Sequence, residues 1–150
     1  MLNRFALWLP WILVVGVLAW SAVVFWASVL LKPSAIPIPV DGLLGVIGPM
    51  GAHFGMYGLL SALLLLSFAD WRWFPRRRVA PLMAAAVISS TYGALMEVFQ
   101  GVVPGRHMSF LDMTANTIGA FVGVAVGWIA IRLLLGAYRA VHAGNRPESA

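Results

Sequence analysis

Hydrophobic residues in this chain neither alternate nor recur on a single helical face; they come in runs. Four nearly uninterrupted stretches stand out, Leu7 to Leu31, Met50 to Ala69, Val79 to Gln100 and Met113 to Leu135. A bilayer hydrocarbon core is about 30 Å thick and takes about 20 apolar helical residues to cross, so each stretch predicts a transmembrane helix. Between them lie KPSAIPIPVDGLLGVIGP, DWRWFPRRR and GVVPGRHMSFLD, each carrying the Pro, Gly or charge that marks a connection. The apolar part of the first stretch is about 25 residues, well beyond the 7–15 of a cleaved signal, which predicts a retained helix. LLGVI in the first connection is too short to span, and it fits an interfacial segment as well as a re-entrant lid over residues 32–49. From Gly136 onward, AYRAVHAGNRPESA reads as a short amphiphilic exit followed by a disordered tail, leaving 1–135 as the one domain. There is no internal repeat of the solenoid kind.

Composition sharpens the class. The chain has 150 residues, of which 61% are hydrophobic and 10% charged, and its mean hydropathy is +0.90. The expected fold is an all-α membrane protein, a four-transmembrane-helix bundle with both termini cytoplasmic. With no Cys there is no disulfide framework, thiolate nucleophile or Cys-ligated metal. The formal charge of +5 is not a nucleic-acid signature, because the basic residues flank apolar runs and are not interleaved with an aromatic surface. They instead set orientation. Arg4, Arg72, Arg76, Arg77, Arg78, Arg132, Arg139 and Arg146 fall on one side, with only Lys32 and Arg106 on the other. That bias directs the termini and the RRR connection to the cytoplasm of a multi-pass inner-membrane protein. The RRR run also suits anionic inner-leaflet lipids, though topology alone accounts for it. Trp8, Trp11, Trp26, Trp71 and Trp73 fall near the expected membrane boundaries.

Against this background the segment EVFQGVVPGRHMSFLDMTAN, residues 97–116, is anomalous: it holds two of the chain's five acids among its polar side chains. On the expected topology His53 and Tyr57 lie at the outer end of the second helix and Glu97 and Gln100 at the outer end of the third. Asp112 and Asn116 open the fourth at the same depth, with Arg106, His107 and Ser109 in the loop. His53 and Tyr57 share a helix side, as do Asp112 and Asn116. Below the latter pair runs Ala115, Gly119, Gly123 and Gly127, a small-residue seam that lets helix backbones approach. Ala86, Ser90, Gly93, Glu97 and Gln100 form a comparable stripe on the third helix. The first helix, lacking charge within its span, is expected as a peripheral wall. The polar ends therefore predict one outward-facing pocket above packed seams.

Each residue has a functional and a structural reading. Charge inside a span costs roughly 2.5–3.5 kcal/mol at the centre and less toward the ends, so Glu97 calls for a partner or a task. Glu97 with Asp112 and His53 would form the acid/base set of an enzyme, while Asp112 also suits an N-cap. Arg106, after Pro104 and Gly105, fits a phosphate or carboxylate anchor, or an ion pair with Glu97 or Asp112. His53, Tyr57, Gln100, Ser109 and Asn116 complete the expected ligand-binding set; the amides equally serve to cross-link helices. A Ser109–His107–Asp112 triad has only nearness in its favour. His53, His107, Glu97 and Asp112 offer imidazole and oxygen ligands suited to Zn or Mn, but the chain lacks HExxH or a similar spacing, so neither metal nor cofactor is expected.

At these positions the sequence resembles the VanZ-like family of small bacterial membrane proteins. The match lies in HFGMYGLL, YGALMEVFQ and PGRHMSFLDMTANTIGAFVG, that is, in His53, Tyr57, Glu97, Gln100, Pro104, Arg106, Ser109, Asp112, Asn116 and Gly119. The resemblance implies a family associated with glycopeptide (teicoplanin) tolerance achieved without remodelling peptidoglycan precursors. Three functions follow as expectations: binding of a membrane lipid or lipid-linked glycan, an enzyme acting on such a substrate, or an accessory scaffold. A channel is disfavoured because no polar relay continues into the inner halves of the helices.

Overall fold

In the computed structural model the described residues are 3–30, 43–68 and 79–143. They form α1 (Asn3–Phe25), continued by a π-helical turn Trp26–Leu30, then α2 (Leu43–Phe68), α3 (Val79–Val102) and α4 (Phe110–Ala143). All four are long and apolar enough to cross a membrane, and no strand occurs among the described residues. Apolar side chains cover every side of the helices, as lipid-facing helices require. Leu18 on α1, Val98 on α3 and Leu133 on α4 are all exposed.

Helix boundaries overrun the apolar stretches wherever a local stop signal lies further out. Residues 43–49, part of the segment with lid potential, are simply the first turns of α2, and Pro49 is accommodated within that helix. Residues 136–143, expected as the start of a tail, continue α4. The 34 residues of α4 span about 51 Å at 1.5 Å per residue, against a core of about 30 Å, so its C-terminal end projects beyond the apolar layer. Near that end the Arg132 guanidinium lies 4.8 Å from the centre of the Trp128 ring, an attractive cation–π geometry. Lys32, Arg72, Arg76–Arg78, Arg146, Trp71 and Trp73 lie outside the described residues. Orientation therefore rests on the arginine distribution alone.

The contacts fix an alternating bundle. Phe54 faces Gly119, Gly58 faces Gly123 and Leu65 faces Gly127, so α2 and α4 run parallel. Ser89 of α3 donates to the Tyr57 carbonyl at 3.0 Å, while Gly93 lies against Asn116, which sets α3 antiparallel to both. The Tyr92 hydroxyl donates to the Ser21 carbonyl at 2.8 Å, and the Trp20 indole to the Met56 carbonyl at 2.9 Å. These bonds hold α1 against α2 and α3, and α1 is the least buried helix, the peripheral wall expected of it.

The tightest seam is α2 against α4. A Cβ on Gly119 would collide with the Phe54 backbone, and one on Gly123 with the Gly58 carbonyl oxygen. A Cβ on Gly58 would stand 3.1 Å from the Gly119 carbonyl oxygen, so the closeness is mutual. The small-residue seam on α4 thus serves packing within the chain. Ser61 locks it, its hydroxyl 2.7 Å from the Ala120 carbonyl oxygen.

Gly123→Val should separate α2 from α4 and cost about 1–3 kcal/mol or more of stability, the usual penalty for overpacking. Gly136→Ala, where nothing lies within 4 Å, should be neutral or slightly stabilising. Thermal unfolding in detergent checks the pair, and equal effects would remove the seam from the account.

Candidate polar site

Between α3 and α4 the chain turns in seven residues. Arg106 N–H donates to the Val103 carbonyl at 3.1 Å, closing a β-turn with Pro104 and Gly105 in its centre. Gly105 has φ +82°, the left-handed value that a type II turn requires at its third position and that Gly alone adopts at no cost. The turn sends Arg106 across the end of the bundle, where its Nη1 donates to the main-chain carbonyl of Ser28. Ser28 lies in the π-helical turn and is buried. Such turns expose backbone groups that a regular helix would use internally.

Ser109 starts α4. Its hydroxyl accepts the Asp112 N–H at 3.2 Å and its carbonyl accepts the Met113 N–H at 3.0 Å, the pattern of an N-cap. The expectation that Asp112 caps this helix is therefore corrected. The helix begins three residues earlier, at Phe110, which leaves Asp112 as the third helical residue with its carboxylate available for other contacts. The Ser109 N–H also donates to Glu97 Oε2 at 3.2 Å. One residue thus caps α4 and ties its start to the end of α3.

Around Glu97 the expected polar residues meet. His53 Nδ1 lies 3.6 Å from Glu97 Oε1 and 3.0 Å from Asn116 Oδ1, joining α2, α3 and α4. The His53 and Tyr57 rings are stacked with centroids 6.4 Å apart. Tyr57, Glu97 and Asn116 are fully buried, and Gln100 and Ser28 nearly so. Gly93 makes this possible, since a Cβ there would fall 2.8 Å from Asn116 Cβ.

What distinguishes the site from ordinary helix glue is how little of it is paired. Buried side-chain atoms with no well-formed hydrogen bond include Ser28 Oγ, Tyr57 OH, Glu97 Oε1, Gln100 Nε2 and Asn116 Nδ2, although Ser28 lies beside Tyr57 and Asn116 beside Glu97. A buried polar group left without a hydrogen bond costs about 1–3 kcal/mol, so these groups are ones that water or another polar partner would stabilise. His53, Glu97 and Asp112 each also present a ligand atom within 4.8 Å of the others. Outside the polar end, Met50, Gly51, Phe54, Ala115 and Ile118 line a shallow apolar groove of about 260 Å³ on the lipid-facing side of α2 and α4.

The structure thus brings together His53, Tyr57, Glu97, Gln100, Asp112 and Asn116. It joins Arg106 to Ser28, where an ion pair with Glu97 or Asp112 was among the readings. Ser109 acts through its capping hydroxyl and its main chain, while His107 is exposed. Ser28 is the residue that sequence reasoning missed. Its only signal was a hydroxyl inside an apolar run, and a π-helical turn leaves no mark in residue order.

Four membrane-length helices closing over a buried polar cluster at one end define a small multi-pass membrane protein with a site between its helices. The chain belongs to the VanZ/LLP1 family, whose model matches residues 44–132 and so takes in every member of the cluster except Ser28. Comparison with curated proteins and with solved structures finds no match.

Ser109→Ala should cost about 1 kcal/mol of stability, whereas Asp112→Asn should change it by no more than about 0.5 kcal/mol. Denaturant unfolding in detergent with chelator present measures both, and the reverse order would restore Asp112 as the cap.

Proposed function

We propose that the polar end of the bundle faces outward from the bacterial cytoplasmic membrane and binds the anionic head group of an envelope lipid or lipid-linked glycan. One observation carries this reading: α2 and α4, which give Tyr57 and Asn116 to the buried polar cluster, also line an apolar groove at Phe54, Ala115 and Ile118. An amphiphile matches that juxtaposition, its head satisfying Gln100, Asn116 and Tyr57 and its chain lying along Phe54 and Ile118. Arg106 supplies positive charge at the rim. Shielding or sequestering a lipid-linked envelope component is a physical route to the teicoplanin tolerance associated with VanZ-like proteins. A pure scaffold is disfavoured, because side chains that only cross-link helices would be expected to pair with one another.

The pairing of His53 with Glu97 at 3.6 Å favours a second reading. In it the same ligand is a substrate, hydrolysed or transferred with Glu97 as acid or base and His53 and Asp112 assisting.

Native mass spectrometry of the purified protein separates these readings. Wild type should retain a specific lipid that Arg106→Ala and Gln100→Leu lose, with helical content unchanged in both. Gln100→Leu should leave the empty protein as stable as wild type or more so, since it removes a buried unpaired amide. Accumulation of the ligand on Glu97→Gln would put the enzyme first. Identical bulk lipids on all folded variants would overturn the binding reading.

A further inference from the structure

We infer that His53, Glu97 and Asp112 form a binding site for a divalent transition-metal ion of the Zn²⁺/Mn²⁺ class. The three come from different helices: His53 from α2, Glu97 from the penultimate turn of α3 and Asp112 from the first turn of α4. One ligand atom from each lies within 4.8 Å of the other two. Bonds of about 2.0–2.2 Å place neighbouring ligands of a tetrahedral ion about 3.4 Å apart, a separation that small side-chain rotations reach from here.

A second and independent observation points to a cation. Glu97 is fully buried, and its Oε1 has no hydrogen bond, although Oε2 receives the Ser109 N–H. A buried carboxyl beside a second carboxylate is stabilised either by a positive charge next to it or by taking up a proton. Among the described residues the ion-pair partner of Glu97 is His53, which at most offsets one of the two acids. A divalent ion offsets both.

The surroundings suit a metal site. Asn116 Oδ1, 3.0 Å from His53 Nδ1, can accept that nitrogen's proton as an outer-shell partner, which leaves Nε2 as the ligating nitrogen, and the Ser109 N–H positions Glu97. One imidazole nitrogen with two carboxylate oxygens fits Zn²⁺ or Mn²⁺ better than the all-oxygen preference of Ca²⁺ and Mg²⁺. Three protein ligands would leave a tetrahedral ion with a position for a further ligand. Sequence spacing gives no hint of this, because the usual metal motifs place two ligands on one helix.

A cation here would also explain how an anionic head group could sit beside two acids. That link rests on the head-group reading, whereas metal binding itself rests on the donor set alone. The test accordingly uses the metal alone. Tag-free, chelator-stripped protein is titrated with Mn²⁺, followed by the loss of the free-ion electron paramagnetic resonance signal, with Zn²⁺ as competitor. Wild type should take up about one ion per chain and release it to Zn²⁺. Asp112→Asn and Glu97→Gln should each weaken uptake at least about tenfold, while His107→Gln, outside the cluster, should not. Circular dichroism verifies folding. Folded wild type that binds neither ion, or ligand variants that bind as wild type does, would overturn the inference. Neither result would alter lipid retention in the mass spectra, so the two readings fail separately.

Discussion

The structure depends on the absence of side chains along one seam. Gly119 and Gly123 of α4 meet the backbone of α2 at Phe54 and Gly58, and no Cβ could be accommodated at either glycine. In a bilayer the lipid is as apolar as the helices, so close backbone packing supplies association that the hydrophobic effect cannot. This seam also fixes register. By setting Phe54 against Gly119 it brings His53 and Asn116 to the same level, within 3.0 Å of each other. Gly93 makes the corresponding approach from α3, and without it Glu97 would stand away from both. The glycines are therefore the reason that polar groups from three helices share one volume.

The other end of the dependence is a short piece of chain. A type II turn and a serine cap connect α3 to α4, and each of their polar groups acts beyond its own segment. Arg106 reaches α1 through the Ser28 carbonyl, and Ser109 reaches Glu97 through its main-chain N–H. The connection thereby closes the bundle across its end and holds the carboxylate of Glu97 by one oxygen. The second oxygen, with the Gln100 and Asn116 amide nitrogens, is left facing the interior. Such a rigid frame around unsatisfied groups is what preorganised ligand sites require.

Much of this was legible in the residue order. Run lengths predict the four spans, and the spacing of Ala115, Gly119, Gly123 and Gly127 predicts a packed face. The common depth of His53, Glu97 and Asn116 follows from counting along alternating helices. What escaped were features decided by one atom or one turn. Asp112 and Ser109 are both good caps, and a shift of the helix start from Met113 to Phe110 chose Ser109. Residues 43–49 carry Pro49 and two glycines yet continue a helix, because tertiary context outweighs local propensity. Ser28 enters the site through a π-helical turn, and the main-chain carbonyl that Arg106 reaches there is a group that residue order does not mark. The partner of the glycine seam, Gly58 on α2, could not be picked from four other glycines on the same helix.

The central claim is that the polar end of this bundle is built around something other than its own side chains. An experimental structure in lipid, at a resolution that separates water from ion and head group, tests that most directly. The account predicts non-protein density within bonding distance of Glu97 Oε1 and of the Asn116 and Gln100 amide nitrogens. Side chains that instead pair with one another, with the volume between them closed, would contradict it.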